Sequence, residues 1–405
     1  MKLLTTMFST RPCSRSPRAS GRFVRGLVAP ALMTLFGAVF GVGIADATPY
    51  TPQSDDAILM RVPAAVQQRE LQPLRHALAE NPQDLTAALN LSKAYLDLGR
   101  REGDPRFISY AQATLANWIQ RPDAPADALM LTAVALQSLH RFDDSLALLS
   151  RALRIEPRNA QSWLTRATIL QVRGEFAAAR QSCVHLIGIA DPVIALACAG
   201  ATNAMTGKLQ QSYAALTALM STGQGRAAAV DSWLLGQLGE MAVRLNDSLA
   251  AERHFQAAMR ADPRDVQVKA EYADLLLREQ RWNEVTAMLA DNEAQDPLLL
   301  RLAIAGHHLN SAKGRRWGDL YEERYQAALL DGDTTHLREH ARYLLEVRGA
   351  TTRALQLAQR NWQVQREPAD IRIYWQSADR DSRAALSQWI AANHYQDAVL
   401  QEASR

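Results

Sequence analysis

The chain of 405 residues is long enough for two or three globular domains, and hydrophobic residues make up 48% of it. Its net charge of +3 arises in residues 1–47, which carry six basic residues and one acidic residue, while the rest of the chain holds 39 basic and 41 acidic side chains. Because the rest of the chain has no basic excess, its composition lacks the electrostatic signature of a nucleic-acid-binding protein. No nucleic acid is therefore expected among the partners.

Residues 1–47 have the order of a secretory signal peptide. An arginine-rich start precedes an uncharged apolar stretch at residues 26–45, and the small-residue pattern Ala45-Asp46-Ala47 follows, with cleavage expected after its last residue. The apolar stretch is also long enough to span a bilayer as an uncleaved anchor that keeps Arg22 and Arg25 on the cytoplasmic side. We therefore expect a periplasmic or otherwise extracytoplasmic protein that associates with the membrane transiently through residues 26–45. The alternative is an inner-membrane anchor with the folded region outside the cytoplasm.

The rest of the chain divides into four segments. Residues 48–63 contain three prolines and no sustained period, which is typical of a linker. An N-terminal helix is predicted within residues 64–84, where Asn81-Pro82 ends it. A regular array of helices follows at residues 85–299, and less regular helices with a C-terminal cap complete the chain at residues 300–405.

The array has a period of 34 residues. Small and bulky apolar residues and a closing proline return at this interval: Gly239, Ala251, Phe255 and Pro263 are followed by Ala273, Val285, Leu289 and Pro297. Successive segments are joined by Pro-x-Asp or Pro-x-Asn turns, in which the proline ends one helix and the Asp or Asn caps the next. Two helices of three to four turns with two short turns use about 34 residues, so the period predicts stacked antiparallel helix pairs.

These positions resemble the tetratricopeptide repeat (TPR), whose signature has Leu-Gly in the first helix, Ala-x3-Phe in the second and a closing Pro. The best copy contains Leu238-Gly239, Ala251, Phe255 and Pro263. The resemblance implies an all-α fold, a right-handed α-solenoid of TPR-like helix pairs that become degenerate toward the C-terminus. Because such arrays are usually binding surfaces and seldom enzymes, it also implies a non-enzymatic scaffold for protein or peptide partners at the bacterial cell envelope.

The resemblance places the first helix of each repeat on the concave face of the solenoid. The residues expected to line this groove and bind the partner are Trp233, Glu240, Arg244, Asp274, Arg278, Arg301, His308 and Tyr343. Among them an acid–base pair recurs after 34 residues, as Glu240 with Arg244 and Asp274 with Arg278. The pairs are either a ladder for an extended partner or exposed intrahelical salt bridges. In both cases the two arginines are expected to contribute little to stability.

Two other function classes compete with the scaffold. His336, Glu339 and His340 spell His-x-x-Glu-His, and on a helix the two histidines could bind zinc with the glutamate as general base of a metallopeptidase. Such a site also needs a third ligand on another helix and a second lobe around the substrate, so a polar helix face is the preferred interpretation. Neither catalytic residues nor a metal or other cofactor is predicted. The other class, a carbohydrate-polymer-binding accessory of an export system, would use exposed aromatic residues such as Trp233 and Tyr343.

Three cysteines occur in the sequence, and Cys13 lies in the leader. Cys183 and Cys198 would remain after cleavage and form a possible disulfide in an oxidising compartment. The other interpretation is that each is a small apolar residue that fills space between adjacent helices.

Overall fold

The computed structural model describes residues 67–222, 226–330 and 336–402. The predicted signal peptide or anchor and the linker lie outside the described residues and stay predictions. Within the described residues every regular element is a helix and no strand occurs. No helix in this part of the chain has both the length and the apolar character that a membrane crossing requires.

The described chain consists of helices joined mostly by short turns. In chain order the helices are α1 (Gln67–Glu80), α2 (Leu85–Glu102), α3 (Pro105–Ile119), α4 (Ala126–Ser138), α5 (Phe142–Ile155), α6 (Ala160–Val172), α7 (Phe176–Val184), α8 (Pro192–Ala204), α9 (Leu209–Thr222), α10 (Ala228–Arg244), α11 (Ser248–Ala261), α12 (Val266–Arg278), α13 (Trp282–Met288), α14 (Asp296–His308), α15 (Ala312–Leu330), α16 (Leu337–Glu346), α17 (Thr351–Trp362), α18 (Pro368–Ser377), α19 (Arg380–Asn393) and α20 (Ala398–Glu402). Helices α2 to α19 form nine consecutive pairs within one compact unit that begins at Pro73. The fold class is therefore confirmed: an all-α solenoid of TPR-like helix pairs.

The Pro-x-Asp and Pro-x-Asn turns act as helix starts, as predicted. Asp84 accepts hydrogen bonds from two backbone amides at the start of α2, at 2.8 and 3.2 Å. Asn159 accepts from the amide of Ser162 at 2.9 Å, and Asp265 accepts from the amide of Val268 at 3.1 Å. Each side chain satisfies an amide that the first turn of a helix leaves without a partner, so these caps fix where the first helix of a repeat begins.

The small residues of the repeat lie where two helices of a pair cross. Gly239 of α10 faces Phe255 of α11, and a Cβ at this glycine would come within 2.5 Å of the aromatic ring. Ala251 and Ala258 of α11 are both fully buried. The recurring small residues thus set the close approach of neighbouring helices, which is the physical cause of the 34-residue pattern.

The first helix pair departs from the predicted boundaries. The sequence places the turn of this pair near Gly99, but α2 continues to Glu102, and the turn is at Gly103, whose φ is +66°. Gly99 lies inside the helix, where a Cβ would come within 2.6 Å of Ile108. The extra residues of the first repeat therefore lengthen its first helix, and Gly99 is a close-packing position.

The last helix pairs turn back onto the middle of the array. In the turn before α18, the backbone amide of Arg366 donates to the carbonyl oxygen of Val172, at the end of α6, at 2.7 Å. The side chain of Arg244, at the end of α10, donates to the carbonyl oxygen of Gln396 at 3.0 Å. Because residues so far apart in the chain are joined directly, the concave faces of the later first helices enclose a space.

Candidate functional site

A cavity of about 490 Å³ lies between the first helices of five consecutive pairs, α10, α12, α14, α16 and α18. Six carboxylates and five guanidinium groups line it, and apolar side chains fill the space between them. The charged lining residues are Glu240, Glu271, Asp274, Arg278, Arg301, Arg338, Glu339, Arg342, Glu346, Glu367 and Arg372. A smaller cavity of about 170 Å³ adjoins it toward α6 and α8 and shares Glu240, Glu271 and Glu367 with it. We call the larger space the axial cavity.

Asp274 connects three helices across the axial cavity. Arg301 of α14 binds its two carboxylate oxygens at 2.9 and 2.7 Å, and Arg342 of α16 binds one of them as well. Arg342 also donates to Glu346 at 2.7 Å. Burial alone would raise the pKa of Asp274, but the two arginines lower it to about 2. The carboxylate is therefore ionised at neutral pH and holds α12, α14 and α16 together.

Arg338 is the centre of a second network, at the junction of α16 and α18. It binds Glu339 at 2.7 Å, Glu367 at 3.0 Å and Asp370 at 3.3 Å. Burial would raise the pKa of Glu339, but Arg338 lowers it to about 2. Asp370 behaves in the opposite way, because burial and the nearby Glu367 raise its pKa although Arg338 opposes them. One arginine thus neutralises a cluster of three carboxylates.

The predicted acid–base ladder is only half present, and its first arginine is not exposed. Arg244 pairs with Glu240 at 3.6 Å, as expected for residues four apart on a helix. Arg244 is only 2% exposed, however, and donates to the carbonyl oxygen of Ala204 at 2.6 Å. Asp274 binds arginines of other helices, and Arg278 donates to Ser248 at 2.9 Å. The expectation that both arginines are surface groups of equal, small importance is wrong for Arg244.

The other predicted groove residues are distributed between the cavities and the core. Arg301 lines the axial cavity, and Trp233 lines the smaller one but is only 7% exposed. His308 is exposed and stacks on Trp282 with ring centres 4.2 Å apart, outside the cavity lining. Tyr343 is fully buried in the core, where its hydroxyl donates to the carbonyl oxygen of Gly318. Neither Trp233 nor Tyr343 therefore offers the exposed aromatic face that the carbohydrate-binding alternative requires.

Several lining residues were not predicted, although the period contains them. Counting 34 residues onward from Asp274 gives His308, then Arg342, then Gln376, and the last two line the axial cavity. The same count from Trp233 passes through Arg301 and reaches Ala369, which also lines it. A strict extension of the period beyond residue 299 would have found these positions.

The His-x-x-Glu-His motif does not form a joint site. The ring of His340 is buried and stacks on Tyr325 with centres 3.4 Å apart, and burial lowers its pKa to about 4. Glu339 faces the axial cavity and is bound by Arg338. Among the described residues, no group of three or more His, Cys, Asp or Glu side chains is arranged to hold a metal ion. The two predicted roles, zinc ligand and general base, thus fall on different sides of α16.

Cys183 and Cys198 are joined in the structure. Their sulfur atoms are 2.00 Å apart, the distance of a disulfide bond. The bond links α7 to α8, and both cysteines are buried in the core of these pairs. Of the two interpretations left open by the sequence, the disulfide is the one that the structure has.

Comparisons with known proteins give structural likenesses only. No protein-family model matches the sequence, and no curated protein matches it. A chain of the APC/C hetero-tetramer Cut9-Hcn1 is 14% identical, with a TM-score of 0.39; the match covers 77% of this chain and 53% of that one, so this chain spans about half its length. Human IFIT1 in a dimer with PPP-AAAA is 14% identical over 76% of this chain and 78% of its own, with a TM-score of 0.46. Rap protein complexed with Competence and Sporulation Factor is 12% identical over 76% and 93%, with a TM-score of 0.48.

At these identities and TM-scores the likeness concerns the helical-repeat fold and carries no argument about function. The nine helix pairs and their 34-residue spacing are the features that describe the chain itself. In fold, the chain is a TPR-like α-solenoid.

Proposed function

We propose that the protein is a non-enzymatic scaffold that binds a protein partner by taking an extended segment of it into the axial cavity. The observation that supports the proposal is the lining of this cavity by the first helices of five consecutive repeats. Neighbouring packed helices are about 8–10 Å apart, and an extended chain advances about 3.3 Å per residue. Each repeat would therefore meet about every third residue of an extended partner.

The chemistry of the lining favours a segment of mixed character. Arginines and carboxylates are nearly equal in number, and apolar side chains such as Leu275, Trp282 and Ile373 lie between them. A polyanion such as a nucleic acid needs a surplus of positive charge, which this lining does not supply. A peptide offers main-chain donors and acceptors together with apolar and charged side chains, and a cavity of about 490 Å³ lies in the size range of ordinary ligand sites.

The location we propose is outside the cytoplasm, at the cell envelope. The disulfide between Cys183 and Cys198 supports it, because such bonds persist mainly in oxidising compartments. N-terminal sequencing of the native protein tests it: cleavage predicts a first residue of Thr48, whereas an intact residue 1 with membrane association indicates the anchor. A soluble protein with an intact N-terminus and two free thiols would contradict the proposed location.

Site-specific photo-crosslinking in intact cells tests the proposed function. Gln376 is exposed at the edge of the axial cavity, and a photoreactive residue there should form an adduct with the partner. Arg253 is exposed on α11, a second helix, and serves as the matched control position. We expect an adduct from position 376 that survives chelators and is absent from position 253. Equal adducts from both positions, or none from position 376, would contradict binding in the axial cavity.

A further inference from the structure

The chain itself places an extended segment on two arginines of the concave face. Between α19 and α20, residues 395–397 have no regular structure and lie against the C-terminal end of α10. Arg244 donates from Nε to the carbonyl oxygen of Gln396 at 3.0 Å, and its guanidinium group lies 4.5 Å from the centre of the Tyr395 ring. Arg372 donates from Nε to the carboxylate of Asp397 at 2.9 Å. Two arginines thus bind a main-chain carbonyl, an aromatic ring and a carboxylate.

Other groups orient both arginines without help from this segment. Arg244 also donates to the carbonyl oxygen of Ala204 at 2.6 Å, at the end of α8. Glu240 lies between the arginines, 3.6 Å from Arg244 and 3.4 Å from Arg372. The site is therefore built on α8, α10 and α18, and the extended segment is its occupant.

The segment fits this site closely and contributes to the wall of the axial cavity. The hydroxyl of Tyr395 donates to the same carboxylate of Asp397 that Arg372 binds, at 3.0 Å, so the aromatic and acidic side chains form one unit. Tyr395 is only 5% exposed. Val399, two residues beyond Asp397, lines the axial cavity together with Arg372. Departure of the segment would thus open the cavity at α18.

We propose that Arg244 and Arg372 form a recognition site for an extended protein segment in which an aromatic residue precedes an acidic residue by two positions. The chain's own Tyr395–Asp397 fills this site until a partner displaces it. The inference rests on the proposed function in that the partner is a protein bound on the concave face. It adds the chemistry of the partner's motif and a competition that regulates access to the axial cavity.

The first test uses the full-length wild-type protein and a peptide with the sequence of residues 393–402. The backbone amides of Tyr395 and Leu400 donate to carbonyl oxygens of Ile390 and Asp397, so their hydrogen exchange reports on the seated segment. Peptide in excess, up to about 1 mM, is expected to speed this exchange at least about tenfold. A control peptide that carries Tyr395→Ala and Asp397→Ala is expected to leave it unchanged. No acceleration by the first peptide, or equal acceleration by both, would overturn the inference.

The second test measures binding of the fluorescently labelled peptide to variants of the full chain. Tyr395→Ala weakens the internal occupant, so more sites are open and the apparent affinity should rise at least about tenfold over the wild type. Adding Arg244→Met should abolish this gain, whereas Arg278→Met, which changes a cavity arginine away from the segment, should keep it. Circular dichroism checks that each variant is folded, and Asp397→Asn replaces the first variant if it is not. A folded variant without tighter binding would overturn the inference.

Failure of this inference can be told apart from failure of the proposed function. Photo-crosslinking from Gln376 does not depend on the identity of the partner's motif. An adduct from that position together with no effect of the peptide refutes the recognition site and leaves the cavity as the binding site. Absence of the adduct refutes the proposed function.

Discussion

Replacement of Arg244 by methionine should destabilise the protein strongly, although the sequence pattern treats it as a surface residue. Methionine keeps the apolar stem but leaves the carbonyl oxygens of Ala204 and Gln396 without their donor and removes one of two arginines from Glu240. Breaking a buried pair costs about 3–5 kcal/mol, and Glu240 retains Arg372, so we expect the lower end, about 3 kcal/mol.

The matched control is Arg278→Met, one repeat later. Arg278 occupies the same position of the 34-residue pattern, is half-buried and donates to the side chain of Ser248. We expect a loss below about 1 kcal/mol for this variant. Urea unfolding followed by circular dichroism measures both free energies of unfolding, with unchanged m-values as the check that the same surface unfolds. Equal losses for the two variants, or a loss below about 1 kcal/mol for Arg244→Met, would refute the buried role of Arg244.

Two further predictions concern packing and pH. A Cβ at Gly314 would lie 2.3 Å from the backbone of the neighbouring helix, whereas nothing lies within 4 Å of one at Gly200; Gly314→Ala should therefore lower the melting temperature, and Gly200→Ala should stabilise α8 by roughly 0.5–1 kcal/mol. The pKa values of Asp274 and Glu339 are lowered to about 2, so their contribution is present at neutral pH and is lost as the pH falls from about 4.5 toward 2, by about 2–3 kcal/mol each in urea unfolding. The raised pKa of Asp370 acts in the opposite direction, since its contribution is full at low pH and is lost as the pH rises above the usual range of aspartate. A free energy of unfolding that is flat or rising between pH 4.5 and 3 would contradict these assignments.

The local features of the fold could be predicted because they repeat. Caps such as Asp84 and Asp265 depend on a few neighbouring residues, and close contacts such as Gly239 with Phe255 recur once per repeat. The assignment of Tyr343 to the groove failed although the period opposes it, because residues 34 and 68 positions earlier, Leu275 and Met241, are apolar and buried.

The enclosed site could not be predicted from the period. Its defining contacts join residues far apart in the chain, such as Arg244 with Gln396 over 152 positions and Arg366 with Arg173 over 193. Whether such residues meet depends on the rotation from one helix pair to the next, added over many repeats. A 34-residue pattern specifies which side of each helix packs on its neighbour but does not specify this rotation, so the groove predicted as open is closed by the chain's own last helices.

The most direct test of binding in the axial cavity is to fill it. Ala369 of α18 is half-buried in the cavity lining, and Ala369→Trp places a large side chain in the space; Ala287→Trp, at an exposed position of α13, is the matched control. Calorimetry measures the affinity of each variant for the purified partner identified by crosslinking. The account predicts that Ala369→Trp weakens binding at least about tenfold, or about 1.4 kcal/mol, with an unchanged melting temperature, and that Ala287→Trp binds like the wild type. Wild-type affinity in a folded Ala369→Trp variant would contradict it.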